Sequence, residues 1–188
     1  ISGEVFKNYK VQKIFRSKDN VRLLIGDEYL DYDQVVLASH ADESLDMLEK
    51  PTTQEKNILG KFKYVKNEAI LHTDESLMPQ KKRAWSSWNS ISDGEKTCIT
   101  YWLNKLQNLE TSKNYFLTLN PISKIDKNSI IKEINFTHPY LNSENTALQR
   151  DLRLIQGKKR TWFCGSYFGY GFHEDGLKSS IDLINNFK

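Results

Sequence analysis

Apolar and polar residues alternate along the first part of the chain. Val11, Ile14 and Phe15 stand among charged neighbours, and Lys18-Asp19-Asn20 makes a polar turn before Val21-Arg22-Leu23-Leu24-Ile25. A second turn at Gly26-Asp27-Glu28 leads into Tyr29-Leu30-Asp31-Tyr32. Short alternating runs joined by such turns predict an antiparallel β-meander. Val35-Val36-Leu37-Ala38-Ser39 reads differently, as an unbroken β-branched run that ends in small residues. It predicts a strand buried on both faces, as in a parallel sheet.

Helical spacing follows over 41–48, stopped by Pro51, and over 53–59, closed by Gly60. Strands are expected over 62–71, 84–88, 96–103 and 115–119, and a helix over 142–155 that closes at Gly157. The last segment is the most regular: a short apolar strand over 160–164, a glycine-rich loop over 165–171 and a helix over 173–187. Leu177, Ile181 and Ile184 share one face of that helix. The 160–164 strand is expected to lie parallel to 35–39, with the final helix packed on the sheet they form. There are no internal repeats or low-complexity tracts.

Composition narrows the reading. Of 188 residues, 38% are hydrophobic, enough for a packed interior. The net charge of +3 is small and interspersed, so it gives no case for a nucleic-acid partner. Cys98 and Cys164 are far apart with no Cys-x-x-Cys pair, which points to a reducing, cytoplasmic compartment and away from a zinc site. No apolar run approaches the ~20 residues of a membrane span, which leaves peripheral membrane contact open. The chain starts at Ile1-Ser2-Gly3-Glu4, without Met or a signal pattern, and its alternation begins almost at once. A missing N-terminal segment is therefore expected, and with it apolar surface left uncovered on 35–37 and on the final helix.

The loop from Gly165 to Gly176 holds the strongest chemical signal. A strand, a glycine-rich loop and a helix in succession are the parts of a nucleotide site, because the helix start offers N–H groups to a phosphate. Tyr167, Phe168, Tyr170 and Phe172 could wall a flat ring system. The same composition suits a surface loop with packed aromatics. Glu174 and Asp175 are accounted for by the dipole at a helix start, and with His173 they give no metal-binding spacing. Ser39-His40 and His72-Thr73-Asp74 hint at a hydrolase, yet no Gly-x-Ser-x-Gly elbow exists. Lys81-Lys82-Arg83 beside Trp85 and Trp88 reads as a solvated strand end.

Longer strings carry a resemblance. They include Val35 through Asp42, Leu71-His72-Thr73-Asp74, Met78-Pro79, Trp85-Ser86-Ser87-Trp88-Asn89 and Thr100 through Gln107. Thr118-Leu119-Asn120-Pro121, His138-Pro139 and Trp162 through Leu177 extend it over nearly the whole chain. Together they resemble a bacterial family of FAD-dependent, amine-oxidase-like proteins, and also the oxidoreductase region of plant cyclopropane-fatty-acid synthases.

The resemblance implies an α/β fold of mixed α+β character, the C-terminal part of a two-domain, Rossmann-type FAD protein. Residues 1–40 would supply the meander and a strand of the FAD domain, 41–155 mainly a substrate domain with a mixed sheet, and 156–188 the closing strand, loop and helix. It implies cofactor contacts at Val11, Ala38, Ser39, Gly165, Ser166, Glu174, Asp175, Gly176 and Leu177. Tyr170, Phe172 and His173 would stand near the flavin, where a histidine can move a proton near neutral pH. No Gly-x-Gly-x-x-Gly follows a strand in this sequence, so that motif is expected upstream of Ile1. The expected activity of the intact protein is hydride transfer between flavin and a small-molecule substrate, an amine or a lipid acyl chain. The alternative is a non-catalytic module acting through protein or anionic-surface contacts. Oligomeric state is not legible in the sequence.

Overall fold

Turn chemistry builds the first sheet. The computed structural model describes residues 3–140 and 143–187. Strands β1 (Val11–Arg16), β2 (Val21–Ile25) and β3 (Glu28–Tyr32) form the expected antiparallel meander in the order β1-β2-β3. A register shift falls between Val11 and Lys13. Ser17 Oγ accepts from Asp19 N and Asn20 N, which fixes the first turn, and Gly26 takes φ +63° in the second. Strand β4 (Val35–Leu37) follows, then helices α1 (Ala41–Met47) and α2 (Thr53–Leu59).

The chain divides into two compact units, residues 1–64 with 139–188, and residues 65–138. In the first unit, Thr52-Thr53-Gln54-Glu55 is a capping box. Thr52 Oγ1 accepts from Glu55 N at 3.1 Å, and Glu55 Oε2 accepts from Thr52 N at 2.6 Å. The same carboxylate takes both terminal nitrogens of Arg16, at 2.6 and 2.9 Å, with both side chains buried. Arg16 also donates to Lys50 O and Thr161 Oγ1. One buried ion pair thus ties β1, α2 and the closing strand together. Ile14, Val21, Leu37, Leu59, Phe62, Leu152, Ile155, Phe163 and Tyr167 make up most of the core around it, and burial stabilises each large apolar side chain by about 1.5–3 kcal/mol.

The second unit is a five-stranded sheet in the order β6-β7-β8-β5-β9. Its strands are β5 (Tyr64–His72), β6 (Trp88–Ser92), β7 (Thr97–Trp102), β8 (Phe116–Leu119) and β9 (Ile130–Pro139), with the short helix α3 (Leu103–Leu106) after β7. The pairings β6–β7, β7–β8 and β8–β5 are all antiparallel, so the mixed sheet expected from sequence gains nothing from these three. The strand expected over 84–88 is corrected: Lys82–Ala84 is a 3-10 turn and the strand starts at Trp88. Trp85 supplied the apolar signal from a loop, where it packs edge-on to Trp102 and Phe116 and donates to Pro79 O at 2.7 Å.

The chain returns to the first unit through α4 (Ser143–Gln149), which passes into a 3-10 helix at Arg150–Leu154. The single helix expected over 142–155 is therefore two, and Asn142 lies outside the described residues. Strand β10 (Thr161–Phe163) pairs in parallel with β4, matching Thr161 to Val35, Trp162 to Val36 and Phe163 to Leu37. All three β10 residues are buried, as the unbroken apolar run required. Helix α5 (His173–Asn186) closes the structure.

Candidate functional site

The turn after β10 begins where Cys164 N donates to Leu37 O at 3.0 Å, which carries the parallel pairing one residue further. Gly165 then adopts φ +148°, where a Cβ would meet the Tyr167 ring at 2.9 Å. A side chain is excluded there by both conformation and space. The same Cβ position is 3.8 Å from Ser39 O, so the end of β4 and the start of the loop stand side by side.

Three side chains hold the loop. Ser179 Oγ accepts from Gly165 N at 2.9 Å and donates to Gly176 O at 2.8 Å, joining the turn to the first coils of α5. Asp175 Oδ2 accepts from Tyr170 N at 3.0 Å and Phe172 N at 2.9 Å. A Cβ at Gly169 would fall on that carboxylate, so the glycine is what lets Asp175 close over the loop. Gln149 Nε2 donates to Gly169 O at 2.6 Å and Tyr167 O at 3.2 Å. The sequence marks Asp175 as a helix-start acid, but Gln149 and Ser179 carry no such signal. Ser179 was findable only as a small polar residue one turn before Leu183, on the buried side of the helix.

Donors remain after these bonds are counted. Ser166 N, His173 N and Glu174 N have no acceptor among the described residues, as the first N–H groups of a helix do when nothing caps them. Gly176 lies inside α5, and a Cβ on it would sit 3.7 Å from Ser166 N. It would therefore clear the protein while filling the space above the open amide. Among the sequence-selected residues, Ser39, Gly165, Ser166 and Gly176 come together here. Asp175 is committed to the loop backbone. Ala38 is exposed, and Ser39 Oγ is bonded to Ser44 Oγ at 2.9 Å. Val11 packs against the core of its unit, and no hydrogen bond or ring contact joins it to the loop.

Tyr170 and Phe172 are 72% and 64% exposed, and His173 and Glu174 are exposed with them. The apolar face of α5 is also turned outward: Leu177 is 56% exposed, Ile181 50% and Ile184 69%. The buried residues of this helix are Ser179 and Leu183. On β4 the expected exposure is partial, with Val36 at 43% and Leu37 buried.

Deeper in the same unit, Tyr167 is buried with its hydroxyl unbonded among the described residues. Burial pushes its phenol well above the usual range, and the nearby Tyr64 and Cys164 add to the shift. Burial also raises Tyr64 to about 12, although its oxygen accepts from Ala41 N at 2.8 Å. The Tyr64 ring stacks on His40 at 4.3 Å. Neither phenol ionises near neutral pH, so neither serves as a base at this site. No group of three or more His, Cys, Asp or Glu side chains among the described residues could hold a metal ion, and no described helix is long and apolar enough to cross a membrane.

FAD fits this turn on three counts of donor and space. Open amides at Ser166, His173 and Glu174 can donate to the oxygens of a phosphate or a pyrimidine. Gly176 leaves room for a flat group to approach them, and exposed rings at Tyr170 and Phe172 can cover it.

No family model and no curated protein sequence matches the chain. Solved structures do match. A CLA-producing fatty acid isomerase from P. acnes aligns with a TM-score of 0.67 at 14% identity, over 96% of this chain and 47% of its own. A protein assigned as a protoporphyrinogen oxidase from Exiguobacterium sp. 255-15 gives 0.60 at 11% identity, over 95% and 46%. The cyclohexylamine oxidase of Brevibacterium oxydans gives 0.59 at 10% identity, over 95% and 48%. The chain thus spans about half the length of each. At these identities the likeness is one of fold, and that fold is shared over nearly all of this chain.

Proposed function

We propose that this chain is part of an FAD-dependent, amine-oxidase-like oxidoreductase that moves a hydride between an organic substrate and flavin. The observation that carries the reading is the Gly165–Ser166 turn, whose open amide faces Gly176 beside the end of β4. The shared fold with two proteins named as oxidases supports it. So does the sequence resemblance through Trp162 to Leu177.

FAD supplies the two-electron chemistry when bound. The chain's residues bind and orient. Ser166 N–H, together with the first N–H groups of α5, holds the oxygens of the cofactor, and Ala38, Ser39 and Leu177 pack beside it. Glu174 and Asp175 would shape the helix start, and Val11 would offer its backbone to the cofactor. Tyr170 and Phe172 exclude water from the reacting face, and His173 holds or releases a proton there. Residues 1–40 and 156–188 belong to the cofactor domain in this reading, and 41–155 mainly to the substrate domain. The substrate is an amine or an acyl chain. The fatty acid isomerase among the matched structures favours the acyl chain. A cytoplasmic location agrees with two free, buried cysteines.

The test is the purified full-length protein. Flavin absorbance in the visible range, with FAD released on denaturation in about one equivalent per chain, is the expected result. A folded protein that stays colourless after incubation with excess FAD would support the binding-module alternative instead.

A further inference from the structure

A groove of about 820 Å³ runs through the first unit, between the 3-10 helix at Arg150–Leu154 and the polar side of α5. That volume lies within the range of ordinary ligand pockets. Trp162 and Leu183 line it as apolar walls, both buried and clustered with Cys164. Arg150 and Arg153 line one side, Lys178 and Asp182 the other.

In a 3-10 helix, residues three apart eclipse one another, so Arg150 and Arg153 project from the same edge. The chain's own groups engage three other guanidinium groups: Arg16 by Glu55, Arg22 by Asp31, and Arg160 by the carbonyls of Lys18 and Asp33, while Arg83 lies in the other unit and does not line this groove. Arg150, Arg153 and Lys178 have no bonded partner among the described residues. Asp175 also borders the groove, but its carboxylate is committed to two loop amides. Among the described residues, Asp182 is then the one uncommitted acid lining the groove, against three cations. Two like-charged forks held on one edge repel each other until an anion bridges them, and their paired N–H groups match carboxylate and phosphate geometry.

We propose that this groove is an anion site, taking a carboxylate or phosphate carried on an apolar body. The head group lies against Arg150 and Arg153, with Lys178 across from them, and the body lies on Trp162 and Leu183. The groove borders the loop that carries Gly169, Tyr170 and Asp175, but its head-group seat at Arg150, Arg153 and Lys178 uses other residues than Ser166 and Gly176.

Isothermal titration calorimetry on the full-length protein tests this with octanoate, octyl phosphate and inorganic phosphate. At least one of the two amphiphiles binds saturably, about one per chain, and about tenfold or more tighter than inorganic phosphate. Whichever of the two is preferred identifies the head group. The R150Q/R153Q double variant weakens that binding about tenfold or more, and K178Q on the opposite wall weakens it about threefold. The K81Q/R83Q pair, on the other unit, changes it by less than about twofold. Absence of saturable binding by both amphiphiles overturns the proposal. So does inorganic phosphate that binds as tightly as they do, unaltered affinity in R150Q/R153Q with K178Q, or an equal loss in K81Q/R83Q.

Discussion

In the sheet of residues 65–138, the polar side chains that reach the interior meet one another. His72 Nε2 lies 2.7 Å from Thr118 Oγ1, and Thr118 Oγ1 lies 2.8 Å from Thr100 Oγ1, with all three residues fully buried. Asp74 N donates to His72 Nδ1 at 3.2 Å. At residues 161–187 the opposite holds. Backbone donors stay open at Ser166 and at the start of α5, and Leu177, Ile181 and Ile184 face outward. Buried polar groups are bonded or costly, so the first region is built for its own stability. Open donors beside an uncovered apolar face are features that a partner or ligand completes. The contrast puts the candidate chemistry in the closing segment and a structural role on His72, despite its catalytic look beside Asp74.

The largest expected effect lies in the closed part of the first unit. Arg16→Met strands the Glu55 carboxylate and should cost about 3–5 kcal/mol in chemical denaturation, whereas Arg16→Met with Glu55→Leu should recover most of the loss. Burial raises the Glu55 pKa, but the Arg16 guanidinium and Thr52 N–H outweigh it and hold the carboxyl below its ordinary value. That stability is present at neutral pH and is lost as pH falls through the folded-state pKa.

The buried ladder should give a smaller effect with its own pH signature. Thr118→Val leaves His72 and Thr100 without their shared partner, at a cost of about 1–3 kcal/mol. Burial pushes the His72 pKa down, outweighing the nearby Asp74 carboxylate. The unfolded chain then binds a proton near pH ~6.5, where the folded chain does not. Stability should fall as pH drops below that point, and His72→Phe should flatten this part of the profile. An unchanged profile would mean that His72 titrates normally and that the ladder is open to water.

The smallest effect belongs to the loop. Asp175→Asn keeps one acceptor for Tyr170 N and Phe172 N but loses the charge. It should cost about 0.5–1 kcal/mol, and faster amide exchange at Tyr170 and Phe172 would show it.

Much of this fold was legible in the sequence, and the exceptions have physical causes. Parallel pairing of β4 and β10 could be read because both runs are continuously apolar and end in small residues, as a strand between covered faces must. The helix over 53–59 closed by Gly60 was read from local spacing alone, without tertiary context. Strand β9 was missed because its residues are exposed or half-buried throughout, so no alternation marks it. The outward face of α5 was read correctly as a stripe, but a stripe does not say whether this chain covers it. At the candidate site, Gly165, Ser166 and Gly176 were expected from the resemblance, beside a strand, loop and helix read from order along the chain. Gln149 was not, since it reaches the loop from 18 and 20 residues away.

Gly176→Ala tests the central claim most directly, because its two effects have opposite signs. The added methyl clears the protein at 3.7 Å from Ser166 N, and alanine in place of glycine within a helix should stabilise the apoprotein by up to about 1 kcal/mol. The same methyl fills the space above the open amide. In a titration of the full-length apoprotein with FAD, followed by flavin fluorescence, the variant should bind about tenfold more weakly or worse while its melting temperature without ligand is unchanged or higher. FAD binding as tight as in the unaltered protein would contradict the assignment of the Gly165–Ser166 turn as the cofactor seat.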